Sequence, residues 1–376
     1  MKNKLYTAIG LMSGTSMDGI DLSLVRSDGI DQFTNILDKY YEYDANLHEQ
    51  LIDLRNMITN IGDLKKYSQK LSDLEREITL FHCKIVNEVS LEYNDKINLV
   101  GFHGQTIFHN TDQQISKQLG DGELMSQLIR KNVVYDFRQE DLRNGGQGAP
   151  LTPVFHHLLS IQNQIKLPVC FLNIGGISNI TIVKDKNDLS KLTSKDIGPG
   201  NCLIDSWVRK NSNKKFDKDG DLASSGFKNE IIFEQAQELY SNRNSKKKLS
   251  LDTNDFDISF IRGLSLQDGA TTLTDFTASI IGEELAQSLK DSKEKIYEVL
   301  LCGGGRKNKI LLKKIKEYLP LKINIKLIDD YKINGDFIES QAFAFLAVRC
   351  IEKLPISFPR TTGCVKACPG GEIITN

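Results

Sequence analysis

Apolar runs ending in glycine-rich turns recur along this chain. Leu5 to Met12 reads as a buried strand, and Ile20, Leu22 and Leu24 alternate with polar neighbours as a second strand does. Together they predict a hairpin whose tip is Ser13 to Gly19. The design returns at Pro168 to Ile174, a buried strand that runs into Gly175-Gly176 and out along the β-branched Ile180-Thr181-Ile182-Val183. A third glycine turn, Cys302-Gly303-Gly304-Gly305, follows Val299-Leu300-Leu301 and opens onto Ile310, Leu311, Leu312 and Ile315, a strand–turn–helix pattern. Between these turns, Leu71, Leu74, Ile78, Phe81, Ile85 and Val89 recur at helical spacing and predict a long amphipathic helix on the first sheet, with His82 partly exposed. Asn98 to Phe102 and Val133 to Phe137 read as further strands that deliver His103, Gln105 and Arg138 at their ends, where open α/β sheets place ligands. Glu339 to Lys353 reads as a helix with Ala342, Phe343, Leu346 and Ile351 facing inward.

The turns carry the candidate chemistry. Gly14 and Gly19 let the backbone bring its N–H groups near a ligand, and Ser13, Thr15 and Ser16 add hydroxyls, a composition suited to a polyphosphate. Asp18 and Asp21 would repel phosphate unless a divalent cation lay between, and Mg²⁺ favours one or two carboxylates plus waters and substrate phosphates. A glycine/serine turn also has a plain reading as a hairpin connection. Its repetition favours two related lobes. At the third turn, glycine backbone and a helix N-terminus suit an anion or a purine ring. Neither the G-x-G-x-x-G nor the G-x-x-x-x-G-K-[ST] pattern occurs at these turns.

A length of 376 residues exceeds one ordinary core and suggests two domains, and 40% hydrophobic with 26% charged residues is normal for a globular protein. A net charge of −1 predicts no general attraction to nucleic acid or anionic membrane. No apolar stretch reaches the roughly 20 residues of a membrane helix, and Met1-Lys2-Asn3-Lys4 leads into a strand, so a cytoplasmic location is expected. Seven scattered cysteines are no disulfide framework; Cys170 and Cys302 read as core thiols. Cys364 and Cys368 lack a nearby Cys/His pair and read as an ordinary C-terminal loop rather than a zinc site.

The blocks Gly10 to Asp21, His103-Gly104-Gln105-Thr106, Asp136-Phe137-Arg138, Gly145 to Leu151, Asn173 to Asn179, Asp196 to Asn201 and Cys302 to Gly305 resemble, in this order, the anhydro-N-acetylmuramic acid kinases. These belong to the superfamily of sugar kinases, acetate kinase, Hsp70 and actin. The resemblance implies an α/β fold of two ribonuclease-H-like lobes, as in the actin-like ATPases, with ATP in the cleft between them. A first lobe of residues 1–125 plus 341–376 and a second of 126–340 are expected. Closure is expected to exclude water.

The implied reaction opens the 1,6-anhydro ring with water while the freed O6 takes the γ-phosphoryl group of ATP. Neutral water attacks an anomeric carbon poorly, so a carboxylate base is needed; Asp196 matches the family's base, ahead of the rigid Gly198-Pro199-Gly200 turn. By the same resemblance Gly14, Thr15, Ser16, Met17, Asp18, Gly19, Ile20 and Asp21 hold the β- and γ-phosphates, with Asp18 and Asp21 orienting Mg²⁺. Gly175 and Gly176 support the phosphates, and Gly303, Gly304 and Gly305 lie against the adenosine. His103, Gln105 and Arg138 are candidates for the sugar's hydroxyls and lactyl carboxylate, arginine being the natural bidentate partner of a carboxylate. Glu339 matches an acidic position near the cleft, although a helix-start glutamate also suits capping. A homodimer is the family expectation. Lys246-Lys247-Lys248 reads as a solvated loop. Ser250-Leu251-Asp252 and Asn254-Asp255-Phe256 replace the Lys-Ser-Thr-Gly-Arg-Glu segment of many members, so no site role is assigned there. The alternatives are a sugar kinase acting on an open hydroxyl and a nucleotide-gated binding protein.

Overall fold

The computed structural model describes residues 4–93, 95–243, 251, 256–292, 295–319 and 323–376. Lys246-Lys247-Lys248 and most of the Ser250 to Phe256 stretch lie outside them. The chain divides into two compact units, residues 1–162 with 337–376 and residues 163–336.

The first unit is built on a sheet whose strand order is β3-β2-β1-β4-β6-β12, with β5 paired to β4. The strands are β1 (Tyr6–Ser13), β2 (Gly19–Ser27), β3 (Phe33–Glu42), β4 (Leu99–Asn110), β5 (Ile115–Leu119), β6 (Asn132–Tyr135) and β12 (Glu372–Ile374). β1, β2 and β3 pair antiparallel, and β4 and β6 continue in parallel beyond β1. β1 is buried along its whole length because both faces are covered. On one face Ile9 and Leu11 join a core with Leu71, Leu74, Ile78, Ile85 and Val89 of the helix Ser68–Glu92. The other face receives the helix Ile338–Ile351, of which Ser340 to Cys350 are all buried. Gly10 and Gly101 pair in register across β1 and β4. A Cβ on Gly10 would overlap the Ser340 carbonyl oxygen, and one on Gly101 the Phe343 carbonyl oxygen, so these two glycines form the slot in which the helix lies.

Residues 126–162 belong to this unit, a correction to the expected boundary at 125. The reason is pairing: β6 extends the sheet beside β4, and β12 closes its edge antiparallel to β6. The junction at the other end falls at Phe337 rather than 341, because the terminal helix starts at Ile338. His82, expected partly exposed, is fully buried against Phe102 with ring centroids 4.8 Å apart. Its Nδ1 bonds to the Ile78 carbonyl at 2.8 Å, and burial pushes its pKa down to about 4.

The second unit repeats the plan. Its strands β7 (Val169–Ile174), β8 (Ile177–Val183), β9 (Thr193–Pro199), β10 (Glu298–Cys302) and β11 (Asn324–Leu327) run in the order β9-β8-β7-β10-β11. β7, β8 and β9 pair antiparallel, and β10 and β11 follow β7 in parallel. Both units thus share the five-strand ribonuclease-H-like order. Cys170, Leu172, Ile174, Val299 and Leu301 pack on the helices Leu266–Asp291 and Lys309–Tyr318. The far side of the helix Leu266–Asp291 closes a second cluster around Trp207, Phe233 and Phe276. Among the described residues no helix is long and apolar enough to cross a membrane.

Candidate active site

In the first unit the β1–β2 tip is Gly14 to Asp18, closed by the Met17 amide donating to the Gly14 carbonyl at 3.2 Å. Met17 takes φ 58°, a strained value for a side-chain-bearing residue, because its side chain is sunk completely into the core. Beneath the tip lies a buried polar brace. The Ser13 hydroxyl sits 2.6 Å from Gln105 Oε1 and 2.9 Å from the Gly19 carbonyl, and it accepts from the Tyr43 hydroxyl at 3.1 Å. Gln105 Nε2 donates to the Gly14 carbonyl at 3.0 Å. Gln105, expected at the sugar, is fully buried here and holds the tip instead. The eight expected positions divide by facing. Met17 and Ile20 are core, and Gly19 is glycine because a Cβ would overlap the Tyr41 carbonyl. Thr15 and Ser16 are exposed, Gly14, Asp18 and Asp21 half-buried, and a Cβ on Gly14 would meet nothing nearer than Ser16 Oγ at 3.9 Å. The outward surface of the tip is therefore hydroxyls, backbone and two carboxylates.

Asp18 Oδ1 accepts from the Ser16 hydroxyl at 2.5 Å. Beside it the Tyr40 phenol is pushed up, first by burial and then by the negative field of Asp18, Glu42 and Asp21. The charges of these three carboxylates make the mouth acidic, the sign of field that draws a cation.

β4 runs on to Asn110, past the expected end at Phe102, so His103 lies within the strand, 4% exposed. Its Nδ1 lies 2.8 Å from the Gly104 carbonyl, and its Nε2 lies 3.2 Å from Arg138 Nε and 2.9 Å from Arg138 Nη2. Nδ1 therefore carries the proton and Nε2 accepts. Burial, then the Arg138 charge, push the His103 pKa down to about 3. The imidazole is neutral and fixes the guanidinium, whose Nη1 also donates to the Gly148 carbonyl at 2.8 Å. The Gly145 to Leu151 block in turn hangs on Asp141, which sequence reasoning missed. Asp141 is fully buried; Oδ2 accepts from the Gly148 amide at 2.7 Å and Oδ1 from the Thr362 hydroxyl at 2.6 Å. The Gly146 amide bonds to its carbonyl at 2.9 Å. Glu339, half-buried, supplies the acidic residue in the first turn of the terminal helix, where the Phe337 N-cap makes no side-chain cap.

In the second unit the Gly175-Gly176 tip is locked to the turn after β9. The Gly200 amide donates to the Gly176 carbonyl and the Asn201 amide to the Gly175 carbonyl, both at 2.8 Å. A Cβ on Gly200 would overlap the Gly175 carbonyl, whereas one on Gly175 would meet only the Ile177 carbonyl at 3.5 Å. Asp196, half-buried on β9, accepts from the Leu251 amide at 2.7 Å through Oδ2. The stretch left without a role thus contributes one backbone contact to the expected base. Asp196 pairs in register with Asn179, Asn179 with Asn173, and Asn173 with Cys302, a row across four strands on the face opposite the apolar core. Asn179 Oδ1 is buried with no hydrogen-bond partner among the described residues. The row ends beside the third glycine turn: Gly303 has φ 78°, and a Cβ there would overlap Asn173 Oδ1. Gly304 is exposed with nothing within 4 Å of a Cβ, while Gly305 packs on Ile174. The helix expected to open here begins after a 3₁₀ turn, capped by Asn308 Oδ1 accepting from Leu311 at 2.9 Å.

Arg306, also missed, braces that turn. It is 5% exposed and meets Asp329 at 2.7 and 2.9 Å, Asp336 at 2.7 Å and the Gly303 carbonyl at 3.1 Å. Its hydrogen bonds to the two carboxylates outweigh burial and raise its pKa. A cationic residue directly after the Gly303 to Gly305 turn was the only sequence signal for it.

The model of the family described as anhydro-N-acetylmuramic acid kinase matches residues 6–376. The chain is 52% identical to the anhydro-N-acetylmuramic acid kinase of Pelagibacter ubique, covering 99% of each chain. It is 37% identical to that of Zymomonas mobilis, covering 97% of this chain and 99% of the other, and 35% identical to that of Agrobacterium fabrum, covering 99% of each. Among solved structures it is similar to the Clostridium difficile activator of 2-hydroxyisocaproyl-CoA dehydratase with bound ADPNP (TM-score 0.39, 11% identity, 91% of this chain and 94% of that one). A second is the Acidaminococcus fermentans (R)-2-hydroxyglutaryl-CoA dehydratase component A (TM-score 0.40, 10% identity, 93% and 100%). On a family match running from β1 to the last residue, the chain belongs to the anhydro-N-acetylmuramic acid kinase family.

Proposed function

We propose that this chain carries out the reaction of its family, an ATP-dependent phosphotransfer to an alcohol group. Anhydro-N-acetylmuramic acid, water and ATP give N-acetylmuramic acid 6-phosphate, ADP and a proton, a step in the recycling of cell-wall amino sugars. The observation that carries the reading is the 52% identity over 99% of the chain to an anhydro-N-acetylmuramic acid kinase. The second unit adds physical support, because the strand bearing Asp196 ends in the turn that is hydrogen-bonded to the Gly175-Gly176 tip.

In this reading Asp196 takes a proton from water as the oxygen bonds to C1 of the sugar. The C1–O6 bond breaks, and O6 receives the γ-phosphoryl group as ADP leaves. The Leu251 amide holds one carboxylate oxygen of Asp196 and so sets its orientation. Gly14, Thr15, Ser16 and the backbone of the tip take the β- and γ-phosphates, with Met17, Gly19 and Ile20 as their framework; Gly175 and Gly176 offer backbone to phosphate. Gly303, Gly304 and Gly305 take the adenosine. Asp18 and Asp21 would hold Mg²⁺ through water, which neutralises phosphate charge when bound. Arg138, steadied by His103, pairs with the lactyl carboxylate, and Glu339 faces the sugar hydroxyls. Gln105 supports the tip rather than the sugar.

Incubation with Mg²⁺-ATP and anhydro-N-acetylmuramic acid tests the reading by mass spectrometry. The expected product is heavier than the substrate by one HPO3 from ATP and one H2O from opening of the C1–O6 bond. Phosphorylation of N-acetylmuramic acid but not of its anhydro form would overturn it.

A further inference from the structure

Asp141, Cys364 and Cys368 are all buried, and their ligand atoms lie within 4.8 Å of one another. Among the described residues no lysine or arginine pairs with Asp141; its carboxylate meets the Gly148 amide, the Thr362 hydroxyl and the Cys364 thiol. Burying a carboxylate without a cation is costly, and neutral hydrogen bonds offset only part of that cost. Two thiols beside it supply the soft donors that a zinc-like cation prefers. Cys364 and Cys368 are spaced Cys-x₃-Cys, and the intervening Val365, Lys366 and Ala367 are exposed, so an ion has a short way in.

We propose that Asp141, Cys364 and Cys368 form a binding site for one thiophilic divalent cation, with an S₂O donor set and water in the fourth position. Coordination turns both thiols into thiolates and releases two protons. The ion ties the segment Thr362 to Cys368 to the loop 141–148. That loop is already pinned there by the Gln147 amide on the Thr362 carbonyl at 2.8 Å and the Val365 amide on the Asn144 carbonyl at 2.9 Å. Because the Gly148 carbonyl holds Arg138, the ion steadies the guanidinium from behind.

The test uses the full chain, reduced, stripped with chelator and desalted. Titration with Cd²⁺ is expected to give a thiolate-to-cadmium charge-transfer band that saturates at one equivalent. Saturating Zn²⁺ is expected to raise Tm by about 5 °C, and excess Mg²⁺ to do neither. Cys364→Ser and Cys368→Ser lose both effects, Cys83→Ala keeps both, and Asp141→Asn, which preserves the acceptor for Gly148, binds at least tenfold more weakly. Absence of band and shift in the wild-type chain overturns the proposal without recourse to any variant. So does a band that survives in the double serine variant, or a Cys364–Cys368 disulfide whose reduction yields no metal uptake.

Discussion

Asp196 sits where one carboxylate oxygen is held by the Leu251 amide and its strand end by the Gly175-Gly176 tip. Asp196→Asn keeps the size and loses the base. It is expected to lower kcat roughly 10²- to 10⁴-fold with the Kd for ATP nearly unchanged, and a fall of less than about tenfold would refute the assignment. Gly175→Val makes the complementary change: a Cβ there has room, so the fold is expected to survive with an unchanged Tm while ATP affinity drops on direct titration. The glycine turns that carry the candidate residues were legible because turn composition is local. Gln105 and Asp141 were not, since burial and partners decide their parts: Gln105 braces Ser13 from 92 positions away, and Asp141 meets Thr362 from 221. No periodicity records such pairings.

The slot made by Gly10 and Gly101 is the element-scale counterpart. Gly101→Val forces the helix Ile338–Ile351 away from β4 and is expected to cost about 1–3 kcal/mol or more, read as a lower denaturant midpoint. Strands and helices around it were legible from alternation and from the 3.6-residue period, including the helix start near 339. His82 shows where that reading failed. It stands four residues after Ile78 and three before Ile85, on the buried stripe itself, yet its polarity argued for exposure. Arg306 acts at the same scale by joining the glycine turn to Asp329 and Asp336. Hydrogen bonds from Arg306 hold the Asp329 carboxyl below its usual range, and those from Arg306 and Lys307 overcome burial to do the same for Asp336. A carboxylate lowered on folding stabilises above its unfolded pKa and ceases to as pH falls through the folded value. The Tm deficit of Arg306→Met relative to wild type is therefore expected to hold steady from pH 8 to about 5 and to shrink below about pH 4. A deficit independent of acid would leave packing alone as the role of Arg306.

Across the molecule, three buried histidines and the half-buried His109 lie in the first unit. Burial pushes the pKa of His82 and His109 down to about 4 and that of His103 and His156 to about 3. An unfolded chain takes up these protons near pH 6.5 while the folded one refuses them until far lower, so stability falls as pH drops from about 6.5 toward 4. Tm is expected to decline across that window, and less steeply in His82→Leu, which removes one refused proton and one orphaned ring nitrogen. The two-unit plan was legible from its repeated hairpins. The boundary was not, because the pairing of β6 and β12 joins residues that no local pattern connects. That late return of the chain sets an order on its synthesis. The face of the first sheet that carries Gly10 and Gly101 stays bare on the ribosome until the helix Ile338–Ile351 has emerged, although residues 163–336 are complete by then. A stop codon just short of that helix would release a nascent product with an open greasy face, prone to capture by chaperones and to precipitation.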